Sequence, residues 1–149
     1  LESAQAGLSW ITFLRKRENY RKAYDDFDVS KVSEYDEAKT EELMQNEGII
    51  RNRRKIEASI NNAKRYLEIQ KEFGSFDNYI WSFVDYKVVK NHWNNISEVP
   101  ATSELSDKVS KELKNRGFKF LGSTIIYAHL QATGVINDHL EGCFRYDMV

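Results

Sequence analysis

The chain has 149 residues, of which 41% are hydrophobic, and its formal net charge is −1. This length and apolar content suit one domain, or two small lobes that share a cleft, and argue against a disordered chain. The near-neutral charge excludes a bulk polycation, so any contact with a polyanion must come from local clusters of positive charge.

A single cysteine excludes an internal disulfide, and no apolar run approaches the roughly 20 residues needed to span a bilayer. We therefore expect a cytoplasmic protein that has no membrane partner, and we expect it to be a monomer. The chain begins at Leu1, inside an apparent helix and without a capping residue before it. We therefore expect it to be truncated at its N-terminus.

The first two thirds of the chain read as a succession of helices with start and stop signals. The start signals are the cap-like residues Ser9, Asp28 and Asp36, and Ser75 or Asp77. The stop signals are Gly7, Gly48 and Gly74. Residues 85–100 read as a long loop that holds the only proline, and the strand signal at 86–89 is too short for a prediction. We therefore predict an all-α fold.

A dense cationic run, residues 51–55, stands at the start of the longest helix. Positive charge there is unfavourable with the helix dipole unless an anion faces it, so either DNA or acidic side chains should lie close. A charge run that is merely solvated is the alternative.

A basic turn with two glycines, residues 114–124, joins two further helical patterns. Gly117 ends the first pattern, and Ser123 or Thr124 can cap the second. The start of the second helix leaves backbone N–H groups unpaired, and Gly122 has no side chain to hinder an approaching phosphate. This turn is therefore a candidate clamp for a DNA backbone.

A plain connector is the alternative reading of this turn, because helices joined through a glycine-containing loop are common. Lys114, Arg116 and Lys119 favour the nucleic-acid interpretation, because three cations around a helix N-terminus indicate an anion. On these residues alone both interpretations stay open.

Near the C-terminus, His139 and Cys143 are spaced by one helical turn, so a helical segment would let both bind one Zn²⁺. Zinc prefers four ligands, the chain has no second cysteine, and His92 and His129 are the other histidines. A surface histidine beside a buried thiol is the alternative.

Six segments taken together resemble the bacterial DNA-3-methyladenine glycosylases of type I. They are residues 2–10 (ESAQAGLSW), 16–20 (KRENY), 48–53 (GIIRNR), 83–84 (FV), 116–122 (RGFKFLG) and 137–139 (NDH). The similarity runs in order through essentially the whole chain. It implies an all-α fold of the helix–hairpin–helix glycosylase superfamily with a base-binding cleft. It also implies a single glycosylase domain over residues 1–149, with the helix–hairpin–helix at about 104–134.

The resemblance implies a DNA repair enzyme that acts on alkylated double-stranded DNA. Such an enzyme flips 3-methyladenine out of the duplex and hydrolyses its N-glycosidic bond without cutting the strand, so it is a monofunctional glycosylase. By position, Glu2 is the carboxylate that binds the base, Trp10 stacks on it, and Leu8 wedges into the gap. Without the resemblance these residues would be a helix-end glutamate, a core indole and a buried staple. A non-catalytic helix–hairpin–helix module that only binds DNA is the alternative function.

Contacts with the DNA backbone and a metal are further implications. The backbone contacts fall on Arg116, Gly117, Lys119, Gly122, Ser123 and Thr124. The metal is a structural zinc that ties the two chain termini together. His139 and Cys143 are two of its four ligands, and the other two are expected in an N-terminal segment that this sequence lacks. Asp138 is interpreted as a helix cap or a partner of His139 and not as a catalytic residue.

Overall fold

The computed structural model describes residues 2–5, 7 and 9–148, and the side chains of Glu2, Ser3 and Trp10 fall outside that description. The described residues are mostly helical, as predicted. The helices are α1 (Glu2–Gln5), α2 (Trp10–Leu14), α3 (Arg17–Ala23), α4 (Val29–Ser33), α5 (Glu37–Gln45), α6 (Arg53–Phe73), α7 (Phe76–Trp81), α8 (Glu104–Asn115) and α9 (Ser123–Ala132). Short 3-10 helices lie at Asp25–Phe27, Ser82–Val84 and Ile96–Glu98.

Capping side chains fix where most of these helices begin. A side-chain oxygen accepts a hydrogen bond from a backbone N–H of the first turn at each of the predicted caps, Ser9, Asp28, Asp36 and Ser75. Asn52 and Ser103 cap α6 and α8 in the same way. Each cap contributes about 1 kcal/mol, so the boundaries follow largely from local chemistry.

Helix α6 runs between two hydrophobic clusters and contributes to both. Its Ile56, Ile60 and Ala63 lie one turn apart on one face, whereas Ile69 is buried further along. The N-terminal cluster consists of Ala4, Phe13, Tyr20, Ala23, Tyr24, Val32, Leu43, Ile49, Ile56, Ile60 and Ala63. The C-terminal cluster consists of Ile69, Tyr79, Ile80, Val109, Leu113, Phe118, Ile126, Tyr127, Leu130, Val135 and Ile136.

Two short strands add a feature that the all-α prediction lacked. Strand β1 (Val89–Lys90) pairs in parallel with β2 (Ile136–Asn137), and a further bridge joins Trp93 to Leu140. Strands of two residues have no alternating pattern to detect. They form because the chain after α9 runs alongside the loop that follows α7 and satisfies its backbone groups.

Two members of the cationic run at the start of α6, Arg53 and Lys55, contact other parts of the protein. Arg53 forms ion pairs with Glu37 and Glu41, and Glu57 lies 4.0 Å away. The Lys55 ammonium donates to the Ala4 carbonyl at 2.9 Å, and burial lowers the pKa of Lys55. The sequence predicted either DNA or acidic side chains beside this run, and at Arg53 acidic side chains are present.

Every helix in the described ranges is too short or too polar to cross a membrane.

Candidate nucleic-acid interface

The turn between α8 and α9, residues 116–122, is called the backbone turn below. Its second residue is a left-handed glycine, since Gly117 has a φ of +87°. The Gly117 N–H donates to the Lys114 carbonyl at 2.9 Å, and the Phe118 N–H donates to the Leu113 carbonyl at 3.0 Å. These bonds satisfy the last carbonyls of α8 in a conformation that favours glycine. The predicted helix end at Gly117 is confirmed.

Two neighbouring asparagines of α6 hold the backbone turn. Asn61 Nδ2 donates to the Gly117 carbonyl at 2.7 Å. Asn62 contacts Lys119 twice, because its Oδ1 accepts from the Lys119 N–H and its Nδ2 donates to the Lys119 carbonyl, each at 2.8 Å. The partners are 56 and 57 residues apart in the chain, so these are tertiary contacts.

Phe120 sits in the middle of the backbone turn with a φ of +56°, and its side chain is 40% exposed. A left-handed conformation costs a residue with a side chain about 1–2 kcal/mol. The conformation persists because the flanking backbone is held, by Asn62 at Lys119 and by Ser110, whose Oγ donates to the Leu121 carbonyl at 2.7 Å.

Helix α9 begins without a side-chain cap among the described residues, since its N-cap residue is Gly122. The prediction that Ser123 or Thr124 caps it is wrong. The Ser123 hydroxyl instead pairs with the Ser106 hydroxyl at 2.7 Å, and Thr124 is exposed. A Cβ placed on Gly122 would meet no described atom within 4 Å. Gly122 therefore leaves room at the start of α9, and unpaired N–H groups at a helix start can bind anions.

The three cations of the backbone turn region have different environments. The Arg116 guanidinium forms a fork with the Glu72 carboxylate at 2.7 and 3.0 Å, and this hydrogen bonding raises the pKa of Arg116. Lys114 and Lys119 are exposed and form no ion pair within the described part of the chain. Lys119 therefore combines a fixed backbone with a side chain that is available to a phosphate.

A cavity of about 470 Å³ lies between the two hydrophobic clusters and extends to the backbone turn. It is lined by Ala4, Tyr20, Tyr24, Phe27, Val29, Val32, Ser59, Asn62, Ala63, Tyr66, Phe76, Leu113, Phe118, Leu121, Ile125, Ile126 and His129. Burial, and then repulsion from Tyr20, raise the pKa of Tyr24 to about 12, although a hydrogen bond with Ser59 lowers it. At Tyr24 the cavity wall is therefore aromatic and uncharged. The cavity volume is typical of small-molecule sites.

The predicted base-binding residues lie at or beyond the edge of the described part. Leu8 and the side chains of Glu2 and Trp10 are outside it. The backbone of Glu2 belongs to α1, whose Ala4 lines the cavity, and Trp10 is the first residue of α2. The helix that carries Glu2 therefore borders the cavity, whereas the roles of all three side chains stay predictions.

The predicted metal pair does come together, although its segment is not helical. His139 precedes an isolated bridge and Cys143 lies in a turn, in which the Cys143 N–H donates to the Leu140 carbonyl at 2.8 Å. Cys143 Sγ lies 3.8 Å from His139 Nδ1. Zinc bonds to nitrogen of about 2.0 Å and to sulfur of about 2.3 Å put two donors of a tetrahedral site about 3.5 Å apart. The pair fits half of a zinc site, and the described residues contain no group of three or more ligating side chains.

Asp138, beside His139, accepts four hydrogen bonds and caps no helix. The donors are Tyr127 at 2.5 Å, Gln131 at 2.6 Å, and Asn91 and Trp93 at 2.7 Å each. Burial raises the pKa of Asp138, but these four hydrogen bonds outweigh it and leave the pKa below its ordinary value. The carboxylate ties α9 to the loop after α7.

Residues 1–146 match the family model described as methyladenine glycosylase. The chain belongs to the methyladenine glycosylase family. It is 48% identical to DNA-3-methyladenine glycosylase 1 of Escherichia coli (strain K12) over 146 residues, which are 98% of this chain and 78% of the relative.

Solved members of the methyladenine glycosylase family have the same fold. A crystal structure of 3-methyladenine DNA glycosylase I superposes with a TM-score of 0.90 at 46% identity, over 96% of this chain and 79% of that one. A tyrosine-to-phenylalanine variant of 3-methyladenine DNA glycosylase I in complex with 3-methyladenine gives a TM-score of 0.91 at 37% identity, over 96% of this chain and 77% of that one.

In this methyladenine glycosylase, sequence reasoning missed the residues that hold the backbone turn. Asn61, Asn62 and Ser110 belong to no motif. One weak signal existed, because two adjacent asparagines in the middle of a helix go against helix propensity and mark a place where tertiary contacts decide.

Proposed function

We propose that this chain is a monofunctional DNA repair glycosylase that hydrolyses the N-glycosidic bond of 3-methyladenine in alkylated double-stranded DNA. The observation that carries the proposal is the family match over residues 1–146. The likeness to a solved relative that is in complex with 3-methyladenine adds the substrate class.

The proposed fold assignment is a single glycosylase domain over residues 1–149 of the helix–hairpin–helix type, with the motif at about 104–134. Support comes from α8 and α9, which pack against each other and are joined by the backbone turn. In this assignment the left-handed glycine at Gly117 allows the tight turn, and Gly122 allows a close approach of the backbone to phosphate.

The proposed contacts with the DNA backbone use charges and N–H groups together. The Lys119 ammonium and the N–H groups of Gly122, Ser123 and Thr124 would bind consecutive phosphates. Arg116 would contribute through N–H donors that its fork with Glu72 does not use, since that fork takes two of the five. Such contacts position the protein on the duplex without reading its sequence.

The flipped base would enter the cavity between the two clusters. A base must leave the stack before its glycosidic bond can be reached, and a lesion that pairs badly is easier to extrude. Methylation at N3 makes adenine cationic, so an aromatic face stabilises it by roughly 0.5–2 kcal/mol. Trp10 would supply that face and Glu2 would accept hydrogen bonds from the base. Leu8 would fill the gap in the stack.

The chemistry then needs little help from the protein, because a cationic purine is a good leaving group. The bond between C1′ and the purine nitrogen breaks, its electron pair stays with the base, and 3-methyladenine leaves neutral. Water adds to C1′ and releases a proton to solvent. The chain contributes by binding the base away from water and by holding the ionised Glu2 beside the positive charge.

A structural zinc at His139 and Cys143 is also proposed, on the strength of the 3.8 Å distance between their donor atoms. Bound zinc would cross-link the segment after β2 to its other ligands and would contribute to folding.

The test is release of free base from methylated duplex DNA, followed by chromatography, with abasic sites counted in the same samples. We expect the full-length protein to release 3-methyladenine, and Glu2→Gln and Trp10→Ala to lose most of that activity while still binding DNA. Glu34→Gln, at an exposed position that forms no ion pair within the described part of the chain, is the control. Binding to DNA without any abasic sites would instead favour the non-catalytic DNA-binding module.

A further inference from the structure

Asn62 belongs to two parts of the proposed site at once. The residue lines the cavity, and its side-chain amide holds the backbone of Lys119 in the backbone turn. We propose that Asn62 is a positioning residue that couples the DNA-backbone turn to the base cavity. This inference rests on the proposed function and adds a route by which DNA contact shapes the cavity.

The Asn62 side chain hydrogen-bonds to Lys119 in the way that a neighbouring backbone segment would. The planar amide of Asn62 donates through Nδ2 and accepts through Oδ1, both at 2.8 Å, so it satisfies both polar backbone groups of one residue. Asn61 Nδ2 lies 3.3 Å from Asn62 Oδ1, which is a longer contact than either of those between Asn62 and Lys119. Few single side chains can replace such a two-sided contact, because most offer only donors or only acceptors.

The contact between Asn62 and Lys119 lies next to the left-handed residue of the backbone turn. Lys119 immediately precedes Phe120, whose φ is +56°. A left-handed phenylalanine relaxes to a negative φ unless its neighbours prevent it. Rotation at Phe120 would redirect the chain that leads to Gly122, where the proposed phosphate contacts begin. Asn62, together with Ser110 at the Leu121 carbonyl, therefore fixes where the N–H groups of α9 lie.

The other side of the coupling is the cavity wall. Phe118 and Leu121, which flank the clamped segment, line the cavity together with Asn62. A shift of the backbone turn therefore moves three parts of the wall in concert. Phe118 is also packed against Phe76, with ring centroids 6.2 Å apart. A displacement at the phosphate contacts thus reaches the aromatic wall through packed groups.

Asn61 provides a matched comparison. It also holds the backbone turn, through the Gly117 carbonyl, but it is not among the described residues that line the cavity. A residue that only stabilises the turn should behave like Asn61. A residue that couples the turn to the cavity should also affect the step that follows DNA binding.

The experiment compares Asn62→Asp and Asn62→Ser with Asn61→Ser in single-turnover release of 3-methyladenine from methylated duplex DNA. Asn62→Asp keeps the size of the side chain and its acceptor, but places an oxygen against the Lys119 carbonyl. Rates measured over a range of enzyme concentrations give a maximal rate and a half-saturating concentration. We expect both Asn62 variants to lower the maximal rate by about tenfold and Asn61→Ser to change it by less than about twofold, while all three raise the half-saturating concentration.

Maximal rates of both Asn62 variants within about twofold of the wild type would overturn the coupling. So would an equal loss of maximal rate in Asn61→Ser. Thermal unfolding and circular dichroism of each variant ensure that the rates are measured well below its melting temperature.

Amide hydrogen exchange at Lys119 gives a readout that needs no catalysis. Asn62→Ser should speed exchange of the Lys119 amide by about tenfold, because its acceptor is gone, whereas Asn61→Ser should leave it nearly unchanged. If the wild-type chain released no base, the proposed function would fail. The role of Asn62 would then be tested by the exchange of the Lys119 amide together with the affinity for DNA. Equal exchange rates in Asn62→Ser and Asn61→Ser would overturn that role.

Discussion

Arg116 and Glu72 form a fork-shaped ion pair, in which Nη1 lies 2.7 Å from Oε2 and Nη2 lies 3.0 Å from Oε1. The guanidinium also stacks against the rings of Phe73 and Tyr79, each at 5.0 Å. The pair joins the end of α8 to the last turns of α6. It therefore holds the first residue of the backbone turn, just as Asn62 holds its middle.

The ion pair predicts a pH-dependent stability. The hydrogen bond from Arg116 lowers the pKa of Glu72 below its ordinary value of 4.5. A folded-state pKa below the unfolded value means that the pair stabilises the fold above the unfolded pKa and loses this effect as the pH falls through the folded pKa. Glu72→Gln should therefore lower the melting temperature at neutral pH, and its difference from the wild type should shrink as the pH falls below 4.5.

Thermal unfolding of both proteins across this pH range checks that prediction. Glu34→Gln is the control, because Glu34 is exposed and has no ion pair in the part of the chain that the structure describes. A difference between Glu72→Gln and the wild type that stays constant down to low pH would contradict the assignment of the effect to the carboxylate.

Gly122 offers a way to separate DNA binding from stability. Its φ is −72° and a Cβ there meets no described atom within 4 Å, so alanine fits the folded chain without strain. We expect Gly122→Ala to change the free energy of unfolding by less than about 1 kcal/mol, or to raise it, because alanine restricts the unfolded chain. The same methyl group should obstruct a phosphate at the start of α9 and weaken DNA binding by about tenfold.

The control for this substitution is Gly142→Ala, which has the same open surroundings but lies in the turn before Cys143. Denaturant unfolding and fluorescence anisotropy with labelled duplex DNA measure the two effects. Unchanged DNA affinity in Gly122→Ala would remove the start of α9 from the interface.

Local signals were reliable where the chain determines its own conformation. Caps such as Asp28 and stops such as Gly117 depend on a side chain and its nearest backbone groups, so sequence alone located them. The same reasoning placed a cap at Ser123, but Ser106 takes that hydroxyl. At Ser123 the hydrogen bond with another helix therefore replaces the local cap.

The candidate site was predictable only in part for the same physical reason. His139 and Cys143 were paired from a helical spacing, yet a turn brings them together. The contact of Asn62 with Lys119 joins residues 57 apart, and the cavity is lined by both hydrophobic clusters. Neither the contact nor the cavity therefore leaves a periodic pattern in the sequence. The roles of Glu2 and Trp10 came from the family resemblance and from no property of their own segment.

Lys119 should contribute to DNA binding through charge alone. Its backbone is held by Asn62, so Lys119→Ala removes the ammonium while the turn keeps its shape. We expect weaker binding to every duplex sequence, and a slope of log affinity against log salt that is smaller by about 1. Lys39→Ala on α5, where the lysine pairs with Glu42 at 2.7 Å, is the control. A salt slope equal to that of the wild type would exclude a phosphate contact by Lys119.

The proposed zinc site predicts a loss of metal together with a loss of stability. In the full-length protein, His139→Ala and Cys143→Ser should each lower the zinc content and the melting temperature, because a structural zinc contributes its binding energy to folding. His92→Ala is the control, since His92 Nδ1 lies 2.5 Å from the Tyr146 hydroxyl and 3.3 Å from Glu141 rather than beside the cysteine. Elemental analysis and thermal unfolding, with and without a chelator, make the comparison. Zinc content that is unchanged in both variants would show that the 3.8 Å approach of His139 to Cys143 serves packing and not a metal.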